Sequence, residues 1–258
     1  MLELIVHNLS EEFKMIKLFP LSDLHVGDKT FDKKMFRDFV KMVAVTPEYY
    51  SVLVGDLLNN AIINSVSNCY NEEMPPREQL KWVREELLPM KHKILGIVSG
   101  NHEYRSKKNT DTHLTEELAE YLGLAHLYRE DELAIKITFG HSTSGNSQVY
   151  IIYMTHGSGG GKRPGSGVNN TEMLTMSVEN ADIYIVGHGH KRWAYKNSPR
   201  RIDYIHEKVK QIEKLFVMSS HWSEFFSGYA ARGMFTPSSK GSVPITMYAG
   251  KKYFEGTV

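Results

Sequence analysis

Seven side chains in this sequence are of the types that hold metal ions. They come in short groups: Asp23 with His25, Asp56, Asn101, His156, and His188 with His190. Carboxylate, imidazole and amide donors make a mixed oxygen and nitrogen set, which suits manganese, iron, cobalt, nickel or zinc. Seven donors are too many for one closed tetrahedral site. They match two adjacent divalent ions with open positions, the arrangement that serves in-line displacement at phosphorus. His102 follows Asn101 directly, and a histidine titrating near neutrality can donate a proton at working pH.

Each group stands just after a short apolar run rich in Ile and Val. The runs are Ile16–Leu21, Ser51–Val54, Ile94–Val98, Val149–Met154 and Ile183–Val186. Their length and the turn residues that end them predict strands buried on both faces. In an open α/β sheet, ligands bind beyond the carboxyl ends of the strands, so the five ends should bring the groups together. The two-residue spacing of Asp23 and His25, and of His188 and His190, predicts that both members of a pair face one side of an extended segment.

Helices are expected between the first three runs. Asp32 caps one whose apolar face is Phe36, Phe39, Val40 and Val43. Pro75 and Pro76 open a second, with Leu80, Val83 and Leu87 at helical spacing. A third runs from about Asp111 through Leu114, Leu118 and Leu122 and closes at Gly123. Strands alternating with helices indicate an α/β fold with mainly parallel strands. Leu215–Met218 and Pro244–Tyr248 read as strands of a second sheet, 196–213 takes no assignment, and Gly157–Gly167 reads as a loop. No repeat or long linker divides the chain, so 1–258 is read as a single domain.

With 258 residues, 41% of them hydrophobic, the chain can bury a large core. Thirty-one Lys and Arg against thirty Asp and Glu give global charge no bias toward a nucleic-acid or membrane partner. The single cysteine, Cys69, excludes an intramolecular disulfide and a Cys-based zinc cluster. Acidic residues in the first fifteen positions do not suit a secretory signal, and no stretch reaches the roughly 20 apolar residues of a membrane span. The expectation is a soluble, cytoplasmic protein without a membrane partner.

The series Asp23-Leu-His25, Gly55-Asp56-Leu-Leu-Asn59, Gly100-Asn101-His102-Glu103, His156 and Gly187-His188-Gly-His190 resembles the calcineurin-like metallophosphoesterase superfamily. All five blocks occur in the family's order. The resemblance implies a four-layer α/β/β/α sandwich of two mixed β-sheets flanked by helices, with the C-terminal strands in the second sheet. It implies one metal on Asp23, His25 and His190, a second on Asn101, His156 and His188, and Asp56 bridging them. Manganese is the favoured ion, with iron, zinc, nickel and cobalt as alternatives. Activated water or hydroxide would attack phosphorus, with His102 and Asn101 as the catalytic residues that hydrogen-bond the developing charge.

Asn59 and Asn60 stand where protein phosphatases of that superfamily carry Asp-Arg. A neutral amide orients an imidazole but does not stabilise its cation as a carboxylate would. The reading therefore favours a phosphodiesterase or nuclease-like enzyme, with a phosphomonoesterase and a non-catalytic binding scaffold as alternatives. Candidate substrate contacts are Asn59, Arg105, Lys162 and Arg163. The last two lie in a glycine-rich loop whose backbone amides can approach an anion. Lys107 and Lys108 extend the basic cluster at Arg105, and nucleic acid or nucleotide are the substrate partners in view. Tyr104 and Trp222 are candidates for stacking on a base, and His221 is read as an ordinary histidine.

Overall fold

The computed structural model describes residues 2–63, 65, 68–159, 164–224 and 238–258, with side chains except at 164–166 and 220. The N-terminal half runs β1 (Leu4–Asn8), β2 (Met15–Leu21), α1 (Lys33–Val45), β3 (Tyr49–Val54), α2 (Pro76–Leu87), β4 (Ile94–Val98), α3 (Asn101–Thr110) and α4 (Leu114–Leu122). It continues with β5 (Tyr128–Arg129), β6 (Glu132–His141), β7 (Ser147–Thr155), α5 (Pro164–Glu172), α6 (Leu174–Ser177) and β8 (Ile183–Val186). The remainder is β9 (Trp193–Asn197), β10 (Arg200–Asp203), β11 (Lys208–Gln211), β12 (Lys214–Met218), β13 (Ser220–His221), β14 (Gly241–Ser242), β15 (Ile245–Tyr248) and β16 (Tyr253–Gly256).

Two six-stranded mixed sheets form the centre, in the orders β16-β15-β2-β3-β4-β5 and β1-β6-β7-β8-β12-β9. Strands β2, β3 and β4 are parallel neighbours in the first sheet, and β7 and β8 are parallel neighbours in the second. All five donor-bearing runs are thus strands, and the donors lie beyond their carboxyl ends. Alternate side chains of each strand enter different cores, which is why the runs are apolar throughout. Ile16, Leu18, Val52 and Val98 meet Leu133, Ile135, Ile152 and Ile185 between the sheets. On the far side of the first sheet, Leu21, Leu53 and Ile97 pack with Phe36, Val40, Val83, Leu87 and Leu118 from the helices. Tyr153, Tyr184 and Phe216 on the outer face of the second sheet pack with Leu174, and α5 lies on β8 and β12. This is the expected four-layer arrangement.

Local chemistry sets the helix ends. The Asp32 carboxylate accepts from the Met35 amide at 3.0 Å, a cap worth about 1 kcal/mol, and Phe36, Phe39, Val40 and Val43 are the buried face of α1. Fully burying a side chain such as Phe36 contributes about 1.5–3 kcal/mol. Gly123, at φ 74°, terminates α4.

Three expectations are corrected, and one unassigned segment is resolved. The third helix starts at Leu114, because Asp111 is the left-handed cap of a separate helix, α3. That helix went unread because its stretch Tyr104–Thr110 is polar and charged, with no apolar stripe. The glycine-rich loop shortens, since α5 begins at Pro164, a residue suited to the first helical position. The strand at Pro244–Tyr248 belongs with β16 to the first sheet, where β15 pairs antiparallel with β2; only β12 joins the second. Segment 196–213 forms the end of β9 and the β10–β11 hairpin, which pairs with neither sheet. Its Ile202, Tyr204, Ile205 and Val209 are exposed, so its periodicity carried no information about a core. No helix among the described residues is long and apolar enough to cross a membrane.

Candidate metal centre

The strand ends deliver the donors into one cluster. Asp23, His25 and His190 place donor atoms within 4.8 Å of one another, and so do Asp56, His156 and His188. A third such group, His25, Asp56 and His102, overlaps both the others, so Asp56 lies between them. The Asn101 Oδ1 lies 2.8 Å from His188 Nδ1 and 3.1 Å from His156 Nε2, which adds the amide to the second group. All seven sequence candidates, with His102, therefore share the cluster.

The pairs converge by a different route from the one expected. Asp23, His25, His188 and His190 all have φ between 49° and 63°, and Asp56 has φ 51°. These are left-handed residues and not extended ones. Two such turns separated by one residue send His188 and His190 to different groups. Left-handed backbone costs an L-residue roughly 1–2 kcal/mol, and Asp, Asn and His tolerate it best. Eight non-glycine residues with positive φ occur among the described residues, and five of them are donors. Strain of this kind gathers where a site must be held in shape.

Glu103 locks the loops. Its buried carboxylate accepts from the amides of Asp56 at 3.0 Å, Leu58 at 2.9 Å and Gly100 at 3.1 Å. Gly100 itself has no room for a side chain, since a Cβ there would lie 2.2 Å from Asp56 N and Oδ1. The His102 amide donates to Asp56 Oδ1 at 2.8 Å.

Two imidazoles are oriented by carbonyls. His156 Nδ1 donates to Val54 O at 2.7 Å, and His102 Nδ1 donates to Asn59 O at 2.7 Å. A neutral His156 then points a lone pair from Nε2 at Asn101 Oδ1 and at Asp56 Oδ2, 3.2 Å away. Three lone-pair atoms converging on one space call for a cation. In the absence of metal a proton fills that role: burial opposes it, but Asp56 prevails and lifts His156 to about 10. Conversely, burial raises Asp56, yet His156 and His102 hold it well below the usual carboxylate range.

The other group shows the same demand. His25 Nε2 faces His190 Nε2 at 3.0 Å, and the buried atoms Asp23 Oδ1 and His25 Nδ1 have no hydrogen-bond partner among the described residues. The second oxygen of Asp23 takes the Ser22 hydroxyl and the His188 amide, so Oδ1 is left for an ion. Burial pushes Asp23 up to about 7. It also pushes His25, His188 and His190 down, keeping these rings neutral as metal ligation requires. The donor set is of a kind that could hold divalent metal.

The substrate-contact candidates separate. The buried Asn59 amide donates to Glu72 at 2.7 Å, so it is the Asn59 main-chain carbonyl, and not its side chain, that orients His102. Asn60 is also internal, donating to His102 O at 2.6 Å and to Ser106 Oγ at 2.9 Å. Arg105 approaches Asn59 O at 3.3 Å, one helical turn from His102. Lys107 is paired with Glu130. Lys162 and Arg163 lie outside the described residues. Trp222 is a core residue, 1% exposed and edge-on to Phe36 and Phe39, whereas Tyr104 is 49% exposed.

Sequence reasoning missed Glu103 as the residue that fixes the loops. Its signal was present as a capping-box position, three residues after Gly100. His221, read as an ordinary histidine, is buried, and neither ring nitrogen is hydrogen-bonded among the described residues. Burial, with Arg192 and Lys240 nearby, pushes it down to about 4.

No family model matches the sequence, and no curated protein matches it significantly. Among solved structures, Vps29 of Chaetomium thermophilum is similar with a TM-score of 0.41 and 12% identity, over 94% of each chain. A conserved uncharacterized protein of Streptococcus pneumoniae TIGR4, named a predicted phosphoesterase, is similar with a TM-score of 0.41 and 13% identity. That match covers 94% of this chain and 87% of the other.

Proposed function

We propose that this chain is a two-metal phosphoesterase of the calcineurin-like kind, acting on phosphodiesters in preference to monoesters. The observation that carries the reading is the pair of donor groups that share Asp56. Asp23, His25 and His190 would hold one ion, Asn101, His156 and His188 the other, and Asp56 both. Bound there, divalent ions supply Lewis-acid stabilisation of phosphoryl charge and a lowered pKa for water. Manganese is our first choice among the ions this donor set suits.

The protein's own part is positioning and proton control. Carbonyl contacts fix His102 and His156 with the proton on Nδ1. His102 Nε2 is turned toward the donor cluster, 3.7 Å from Asp56 Oδ2. With Nδ1 committed to Asn59 O, His102 can donate from Nε2 only as the imidazolium. A carbonyl supports that cation less than a carboxylate would, and burial lowers the ring's pKa. His102 therefore acts on a phosphoryl or leaving oxygen only as the imidazolium, a form that the negative charge of a bound phosphoester favours. Arg105, a turn away, supplies positive potential on the same side.

Preference for diesters follows from what is absent at Asn60, which is buried and hydrogen-bonded where a phosphatase would place an anion-gripping arginine. The test is metal content after manganese loading, with hydrolysis of bis-p-nitrophenyl phosphate and p-nitrophenyl phosphate measured side by side. The expected result is about two ions per chain and faster diester cleavage. Fewer than one ion per chain would sink the two-metal reading, and faster monoester cleavage would sink the diester preference. Two bound ions with no turnover of either ester would favour a binding scaffold.

A further inference from the structure

A cleft of about 480 Å³ opens beside Asn101, His156 and His188, between α3 and α5. Its size falls in the range of about 300–1,000 Å³ that holds a small organic ligand. The walls are chemically distinct from the donor cluster. Tyr104, Tyr153, Leu174 and Met218 give ring and aliphatic surface, Asn170 a neutral amide, and Asp131 a carboxylate. Asp131 has no ion-pair or hydrogen-bond partner for its side chain among the described residues. Neighbouring Glu130 is neutralised by Lys107. No Lys or Arg occurs among the described lining residues.

We propose that this cleft seats one organic group of the phosphoester, a nucleoside-sized moiety with an aromatic ring and hydrogen-bond donors; this rests on the phosphoesterase reading. A nucleotide monomer carries one phosphate, which the donor cluster accounts for, while its base and sugar are uncharged. The half-exposed Tyr104 ring offers a stacking face, and base–aromatic stacking is worth about 1–3 kcal/mol per base. An ionised carboxylate only accepts, so Asp131 selects hydroxyl or amide donors such as those of a sugar or base edge. A polynucleotide would instead lay further phosphates along the cleft. Asp131 stands in the path of such a backbone and would repel it.

The experiment uses the full chain loaded with manganese and three substrates: thymidine 5′-p-nitrophenyl phosphate, methyl p-nitrophenyl phosphate and an oligothymidylate. We expect kcat/KM for the thymidine ester to exceed that for the methyl ester by about tenfold, within the range that stacking supplies. Tyr104→Ala should lower that ratio by about tenfold, and Asp131→Asn should lower it to a smaller extent. Asp131→Lys should raise cleavage of the oligonucleotide relative to the thymidine ester. A ratio near one, or one that neither substitution moves, overturns the proposal while leaving the phosphoesterase reading intact. Preferred cleavage of the oligonucleotide by the unsubstituted protein also overturns it. Failure to cleave even the methyl ester removes the phosphoesterase reading and this inference together.

Discussion

Replacing Glu103 by alanine should destabilise the protein by about 3 kcal/mol, although Glu103 is not among the proposed ligands. Its carboxylate satisfies three amides at 2.9–3.1 Å, those of Asp56, Leu58 and Gly100, and only 3% of the residue is exposed. Each buried donor left without a partner costs about 1–3 kcal/mol, and water entering the vacated space keeps each near the lower figure. For a chain of this size about 3 kcal/mol corresponds to a fall of roughly 6–12 °C in Tm. Glu103→Gln keeps one oxygen for two amides but turns an NH2 on the third, so about 1 kcal/mol, or roughly 2–4 °C, should be lost.

The charge on Glu103 adds a pH signature. Burial, followed by repulsion from Asp56, raises it from 4.5 to about 7 in the metal-free protein. A carboxyl raised on folding contributes stability that is fully present below its unfolded value and is lost as pH rises through the folded one. The metal-free Tm should therefore fall between about pH 4.5 and 7, and Glu103→Gln should flatten that fall. Thermal melts monitored by circular dichroism, with and without manganese, give all of these quantities. Melting of the alanine variant within about 2 °C of the parent would refute the accounting of three satisfied amides.

The other predictions concern the cluster directly. Asp56→Asn should leave at most one manganese ion per chain by elemental analysis, because the shared carboxylate is gone. His102→Ala should keep both ions and lower kcat for a diester by about 10²–10⁴-fold, the usual worth of a proton-transfer group. Gly100→Ala should lose manganese affinity and stability together, since its Cβ would lie 2.2 Å from Asp56 Oδ1. Asp23, raised to about 7 by burial, must be ionised to bind metal. His156, lifted to about 10, must likewise lose its proton, so manganese affinity should fall as pH drops below about 10 and more steeply below about 7, and calorimetry in two buffers at pH 6 should detect proton release from both groups.

The donor-bearing strands were legible because each is short, apolar on both faces and ended by turn residues. That pattern reports burial between two cores, as at Leu18 and Leu21, whose side chains enter different ones. Helices with an apolar stripe were legible for the same reason. Helix α3 was not, because its register is set by Gly100 and by Glu103 folding back on the loop, which hydrophobic spacing does not record. The left-handed donors also escaped notice, since a His-Gly-His spacing reads equally well as extended chain. Asn59 showed its residue type but not that its carbonyl, and not its amide, would face His102. Sheet membership of Ile245–Tyr248 depends on pairing with β2, more than two hundred residues away, which no local pattern encodes.

The left-handed backbone at five of the seven donors limits how this centre can change. At Asp23, His25, Asp56, His188 and His190 the chain admits a small alphabet, chiefly Asp, Asn, His and Gly. Exchanges within that alphabet shift the balance of oxygen and nitrogen around each ion while the scaffold stands. A glutamate or a thiolate at these places begins roughly 1–2 kcal/mol behind, before any ion is chosen. Variation of metal preference should therefore be spelled in imidazole, carboxylate and amide, with sulfur entering more readily at Asn101 or His156, where no positive φ restricts the residue.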